Sequence, residues 1–236
     1  MKLIFSVLDR HELWPTFRDY YRSMGITQFL CVSYGPKLDG VTAHFPAHIP
    51  PKEFNGPHDA LNHNYIIDRC IQPDEWYAIA DLDEFTVFPD GSTLIDATRR
   101  ATKDGANLIC STFRDRITAD GSIPTVLEDD IWKQFPLKTN ATEVLAGGCT
   151  RKVVAAVGKL HLRGGHHDIT KESWSRGKKW TTHAETHHFK WWGPNITTFF
   201  GSRFKALPIY QQELDRMSKH LRSHNGIDIQ ALTVFE

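Results

Sequence analysis

Trp76–Pro89, WYAIADLDEFTVFP, is the stretch on which the fold turns. Tyr77-Ala78-Ile79-Ala80 reads as a buried strand, and it runs straight into three acids, Asp81, Asp83 and Glu84. An apolar patch, Phe85-Thr86-Val87-Phe88, follows, and Pro89-Asp90-Gly91 closes the segment as a turn. An unpaired carboxylate at the end of a buried strand is expensive, so these acids need a partner. A divalent cation is the usual one, and oxygen-rich sites suit Mg²⁺ or Mn²⁺. In extended geometry Asp81 and Asp83 point to one side and Leu82 to the other, so two carboxylates could share one metal–diphosphate group. The carboxyl end of such a strand is also where open α/β sheets bind ligands.

Upstream, Lys2–Leu8 is apolar and β-rich, and Asp9–Glu12 forms the loop at its carboxyl end. Trp14–Met24 has helical spacing, with Trp14, Phe17, Tyr21 and Met24 on one face and Gly25 as its stop. Phe29–Tyr34 is a second strand, followed by Gly35-Pro36 and Asp39-Gly40 turns. This β-α-β opening predicts a parallel, nucleotide-binding type of sheet. Thr42–Pro57 reads as an irregular loop, and Asp59–Cys70 as a helix burying Leu61, Tyr65, Ile66 and Cys70.

Downstream, Ser92–Thr102 is a short helix that Ser92 or Thr93 would cap. Ala106–Phe113 and Arg151–Val157 are strands, and Gly164-Gly165-His166-His167 is a tight turn carrying two imidazoles. Thr125–Thr150 has no clear periodicity, and Ile169–His183 reads as a mobile polar loop. Glu185–Trp192 is a last short strand, with helices expected over Asn195–Lys205 and Ile209–Arg222.

The totals exclude several classes. With 236 residues the chain forms one large domain or at most two small ones. Lys plus Arg equal Asp plus Glu at 28 each, which argues against a general nucleic-acid or membrane-surface binder. Cys31, Cys70, Cys110 and Cys149 are far apart and form no CxxC pair, so they read as reduced, mostly buried thiols of a cytosolic protein. The apolar run in MKLIFSVLDRHELW is too short for a transmembrane segment and lacks a cleavage pattern. A cytoplasmic location is expected, with a peripheral position at a membrane left open.

DLDEF at a strand end, Lys152 on a later strand, the GGHH turn and HHFKW occur in that order. In this the chain resembles the bacterial proteins grouped around glycosyltransferase family 2, in the branch with a D-x-D-E-F sequence. The resemblance implies a GT-A fold: a three-layer α/β/α domain over 1–236, with a mixed, mainly parallel sheet. Residues 1–90 would form a Rossmann-like nucleotide-sugar half and residues 91–236 the acceptor half. It implies Mn²⁺ or Mg²⁺, a UDP-sugar donor by preference, and a glycan or glycoconjugate acceptor.

Residue by residue, the resemblance implies that Asp83 chelates the metal and that Asp81 binds the ribose or a metal water. Glu84 matches the acid that follows them. His188 matches the late histidine that completes the metal shell, and Lys152 a lysine near the donor phosphates. His166 or His167 matches a histidine near the sugar or acceptor. Family members carry Asn-Glu after the first strand where this chain has Asp9-Arg10-His11-Glu12, so Asp9 and Arg10 take the place of those nucleotide contacts.

Sugar transfer needs help for a departing diphosphate, which a metal and Lys152 would give electrostatically. An inverting enzyme also needs one carboxylate base in reach of the acceptor hydroxyl. Asp115 is preferred for that role over Glu128, Asp129 and Asp130. Each residue has a plainer alternative: solvated strand-end acids, an arginine salt bridge for Glu84, a core histidine at position 188, a surface lysine at 152. Two other functions compete. A haloacid dehalogenase-type phosphatase also uses D-x-D, but on its first strand, whereas two β-type segments precede it here. A His-rich metal- or sugar-binding module would use His161, His166, His167, His183, His187 and His188, although their spacing matches no helical zinc pattern.

Overall fold

The structure, a computed structural model, describes residues 1–7, 11–34, 37–46, 56–181, 183–193, 196 and 208–236, with the backbone course alone for 56–59 and 208–210. The expected loop residues Asp9 and Arg10, the Gly35-Pro36 turn and nearly all of the expected helix over Asn195–Lys205 lie outside the described residues. The chain is α/β and divides into two compact units. One is Met1–Thr112 with Arg151–Thr186, the other Phe113–Thr150 with His187–Glu236, a different division from a cut at residue 90.

The main sheet of the first unit runs through β1 (Lys2–Val7), β2 (Gln28–Ser33), β3 (Ala43–Pro46), β4 (Trp76–Ile79), β6 (Leu108–Ile117, through Thr112) and β8 (Arg151–Val157). Their order across the sheet is β3-β2-β1-β4-β8-β6. β1 is parallel to β2 and β4, and β2 to β3, while β8 is antiparallel to both β4 and β6. The parallel strands are near-continuous apolar runs because both of their faces are covered.

Helix α1 (Trp14–Ser23) covers one face. Its Trp14 ring stacks on Phe5 at 5.2 Å, and Phe17 meets Phe5 and Phe85 at 5.5 and 5.9 Å. Helix α2 (Gly56–Cys70) covers the other, with Ile66 and Ile67 packed among Ile4, Leu30, Val32 and Tyr77. Ile4 and Phe5 point to opposite faces, as strand alternation requires, so the sheet lies between two helical layers. Gly25 ends α1 at φ +94°, and a Cβ there would come within 2.2 Å of Ile95 on α3 (Leu94–Lys103).

Four local expectations are corrected. Thr42–Pro57 is not wholly irregular, because Ala43–Pro46 pairs along β2 as the edge strand β3. Leu61 is not on the buried side of α2 but 62% exposed; the buried stripe there is Asn62, His63, Ile66 and Ile67. The face turns polar where it passes the ends of the strands. Phe85–Phe88 is more than an apolar patch, since Glu84–Val87 forms strand β5. Ile169–His183 is not a loose loop. It holds a helical turn, α5 (Lys171–Trp174), and strand β9 (Lys179–Trp180), which pairs with Leu108 and Ile109. Asn107 ties it down through Arg176 O at 2.8 Å and Lys178 N at 2.7 Å, and Trp180 donates to Asp104. Of the four thiols, Cys31 is buried, Cys70 and Cys110 are half-buried and Cys149 is exposed, and none is in a disulfide.

In the second unit, Asp115–Ile117 of β6 pair antiparallel with β7 (Leu137–Thr139), and β7 with β11 (Val234–Phe235). Its core gathers Ile117, Ala141, Leu145, Trp191, Met217 and Ile227, the last two carried by or following helix α6 (Pro208–His224). Strand β10 (Glu185–His188) delivers His187 and His188 to this unit. No helix among the described residues is long and apolar enough to cross a membrane.

Candidate functional site

In the first unit, β1 leads on to β2 and β3 on one side while β4 lies on its other side. That reversal is the switch point of an open sheet, where a crevice forms beyond the strand carboxyl ends. Polar side chains gather there. Ser6 Oγ at the end of β1 is 2.8 Å from His63 Nε2, and Asn62 Nδ2 donates to the Tyr34 hydroxyl beyond β2 at 2.5 Å. These four residues carried no signal in the sequence beyond a polar run, Asn62-His63-Asn64, inside a helical pattern.

The acids after β4 are not extended. Glu84 N donates to Asp81 O at 2.9 Å, closing residues 81–84 into a turn. A turn brings its first and fourth residues together, so Glu84 faces Asp81, and Glu84 Oε2 accepts from Asp81 N at 3.4 Å. The expected pairing of Asp81 with Asp83 on one side of a strand is replaced by Asp81 with Glu84. Asp83 sits in the turn and is 5% exposed.

Strand register supplies the partner. Trp76↔Val157, Tyr77↔Ala156 and Ala78↔Ala155 pair across β4 and β8, and extending that register sets Lys152 opposite Asp81. Lys152 Nζ lies 2.6 Å from Glu84 Oε1 and 3.2 Å from Asp81 Oδ2, and donates to Gly165 O at 3.1 Å. An ammonium has three N–H groups, and these three oxygens engage them. The expected neighbour of the donor phosphates is thus a lysine paired with the turn's own carboxylates.

His166 closes the cluster. Gly165 (φ +65°) and His166 (φ +42°) both adopt the left-handed conformation, which is strained for histidine. The strain is held by a hydrogen bond from Nδ1 to Val153 O at 3.2 Å. Nε2 then faces Asp81 Oδ2 at 3.4 Å, Glu84 Oε2 at 3.5 Å and Lys152 Nζ at 3.5 Å. His167 donates instead to Arg151 O at 2.8 Å.

Burial disfavours each charge, and the cluster overrides it. Burial raises the Asp81 carboxyl, but Lys152 and then His166 hold it well below the carboxylate range, with His63 adding to the effect. Burial lowers the Lys152 ammonium, but Glu84 and then Asp81 raise it above its ordinary value. At His167, burial and then Lys152 outweigh the raising effects of Arg151 O and Asp81 and push the imidazole down to about 4.

Of the expected metal ligands Asp81, Asp83 and His188, the first two lie in this unit and His188 in the second. Among the described residues, the ligand atoms close enough to share an ion belong to Asp81, Glu84 and His166, within 4.8 Å of one another. A metal takes oxygen ligands at roughly 2.0–2.6 Å. Lys152 Nζ stands beside this group, 2.6 Å from Glu84 Oε1, 3.2 Å from Asp81 Oδ2 and 3.5 Å from His166 Nε2.

His188 and Asp115 lie in the second unit and face each other. Asp115 Oδ1 accepts from His188 Nδ1 at 3.0 Å, Trp191 Nε1 at 2.9 Å and Thr142 Oγ1 at 2.7 Å, and Oδ2 from Thr142 N at 2.5 Å. Burial raises this carboxyl, but His188 and Thr142 lower it below the ordinary value. A base needs a lone pair turned to its substrate, and four donors engage this carboxylate. Three of these donors meet Oδ1 and one meets Oδ2. Of the other carboxylates considered, Asp130 caps α4 (Ile131–Gln134). Glu213 on α6 is raised by burial, opposed by Lys190 at 3.9 Å and by His188.

His161 sits on Asp68 at 2.8 Å, His167 on Arg151 O, and His187 Nδ1 accepts from Arg116 Nε at 3.2 Å. Comparison of the chain with protein-family models and with curated proteins finds no match.

Proposed function

We propose that the chain is a glycosyltransferase that takes its sugar from a nucleotide diphosphate, with the donor seated beyond the carboxyl ends of β1 and β4. The observation that carries this is the position of the acid–lysine–histidine cluster at the switch point of a β3-β2-β1-β4 sheet. That strand order is the one used by mononucleotide-binding halves of doubly wound folds. The antiparallel β8 beside β4 also accords with the mixed sheet that the D-x-D-E-F resemblance implies.

In this proposal Asp81 works as an ionised acceptor. Its side chain is 37% exposed, and Lys152 keeps it charged, so it can receive hydroxyl hydrogens of a ribose or sugar. Glu84 and Lys152, 2% and 5% exposed, hold the turn in place rather than reach the ligand. His166 joins them through Nε2, and His63 and Ser6 line the β1 side. The acceptor would be a glycan or glycoconjugate. Positive charge for the leaving diphosphate has to come from outside this cluster, because the Lys152 ammonium is already engaged.

The test is a thermal-shift panel of UDP, GDP, CMP and nucleotide sugars, each with Mn²⁺, Mg²⁺ or EDTA. A ligand bound to the folded state alone stabilises it by about 2.7 kcal/mol at 100 times its Kd. UDP or a UDP-sugar is expected to raise the melting temperature, and Asp81→Asn to remove that rise without lowering the ligand-free melting temperature by a comparable amount. A panel in which no nucleotide shifts the protein overturns the proposal.

A further inference from the structure

The acidic turn carries its own cation. We infer that Lys152 is the resident cation of the Asp81–Glu84–His166 group, and that this group binds no divalent ion while Lys152 is in place. The inference concerns the cluster alone and does not rest on the nucleotide-sugar proposal.

Three observations bear it. The first is position. Lys152 Nζ stands 2.6 Å from Glu84, 3.2 Å from Asp81 and 3.5 Å from His166 Nε2, so a cation is already in contact with all three side chains that an ion would need. The second is how that position is fixed. Lys152 belongs to a strand paired on both sides, with Ser111 of β6 opposite it and the β4 register on its other flank. Its ammonium is aimed by the sheet and not by a loop that could swing aside. The third is burial. Lys152, Glu84 and His166 are 4%, 2% and 2% exposed, so an incoming ion would have to displace a buried, paired ammonium from its carboxylates.

Charge gives the same result. The Lys152 ammonium offsets carboxylate charge at Asp81 and Glu84, and the turn opens to solvent at the 37% exposed edge of Asp81. That edge suits hydroxyl and amine donors. Without the ammonium, the carboxylates would present more negative charge to a divalent ion. The turn thus keeps its charge and shape whatever the metal supply, and a ligand read by Asp81 would be read through hydroxyl groups.

The test uses Mn²⁺ alone, without nucleotide, followed by the paramagnetic resonance signal of the free ion. Wild type is expected to take up no Mn²⁺ in this group. Lys152→Met should expose the vacated centre and take up one Mn²⁺ per chain, with affinity at least about tenfold above wild type. Lys152→Met/Glu84→Gln should lose that gain. Wild type that binds one Mn²⁺ and releases it on Glu84→Gln overturns the inference, as does a folded Lys152→Met that binds none. Mn²⁺ bound equally by wild type and Glu84→Gln lies elsewhere and supports it. Where Lys152→Met folds only with Mn²⁺, the rescue supports it, and where it does not fold at all, wild type against Glu84→Gln decides, with His166→Gln in place of Glu84→Gln should that variant also fail. A failed nucleotide panel leaves every one of these outcomes unchanged.

Discussion

Removing Lys152 alone strands the Glu84 carboxylate in a site 2% exposed to water. Breaking a buried pair from one side costs about 3–5 kcal/mol, whereas replacing both partners by neutral groups of similar size is often tolerated. Lys152→Met and Glu84→Gln are each expected to lower stability by about that amount, and the double variant by much less than their sum. Urea midpoints of the four proteins check it, and additive losses would mean that the two charges are not coupled. His167 supplies a pH dependence. Its folded pKa, about 4, lies below the ordinary 6.5, so the unfolded chain binds the proton more readily between those values. Its contribution to stability is whole above pH 6.5 and is lost as pH falls toward 4. His167→Gln should flatten that part of the stability curve, read from denaturation midpoints at pH 7 and pH 5. At this scale the sequence reading found Asp81, Glu84, Lys152 and His166 as residues but mispaired them. D-x-D suggested alternation along a strand, whereas the Glu84 N to Asp81 O hydrogen bond makes a turn, and hydrogen bonding between residues three apart has no signature in side-chain spacing. Ser6 and His63 escaped because neither a serine inside a strand nor a histidine inside a helix departs from an ordinary pattern.

Elements were legible where apolar runs were long. LIFSV, FLCVS and YAI could only be strands buried on both faces, and β1, β2 and β4 lie there. The cap of α3 was legible too: Thr93 Oγ1 accepts from Asp96 N at 3.2 Å, and Asp96 reaches back to Thr93. Thr93→Ala is expected to cost about 1 kcal/mol, measured by chemical denaturation. Segments held by remote contacts were not legible. Ile169–His183 looked loose because it is polar, and its order comes in part from Asp104, Asn107, Leu108 and Ile109, more than sixty residues earlier in the chain. Gly158 shows the same kind of remote constraint. At φ +62°, its Cβ would stand 2.2 Å from Pro73 O, so Gly158→Ala should destabilise the β4–β8 junction by more than about 1 kcal/mol.

At the scale of the whole molecule, the first unit is discontinuous in sequence, because Arg151–Thr186 returns to it after the chain has left at Thr112. No periodicity announces such a return, which is why a cut near residue 90 looked natural. β8 is the only described strand between β4 and β6 in the sheet, so a chain ended at Gly148 lacks the strand that joins them. Such a fragment is expected to melt without a cooperative transition by circular dichroism. A sharp transition would show that β1–β4 with α1 and α2 is self-sufficient.

Lys152 follows Asp81 by 71 positions in the chain. At ordinary rates of about 5–20 residues per second, the ribosome makes the turn roughly 4 to 14 s before it makes the lysine. Throughout that interval the nascent protein carries two carboxylates that cannot be buried, and β4 has no neighbour on one edge. Completion of the sheet therefore waits on translation, and the acidic turn stays solvated until its counter-charge emerges.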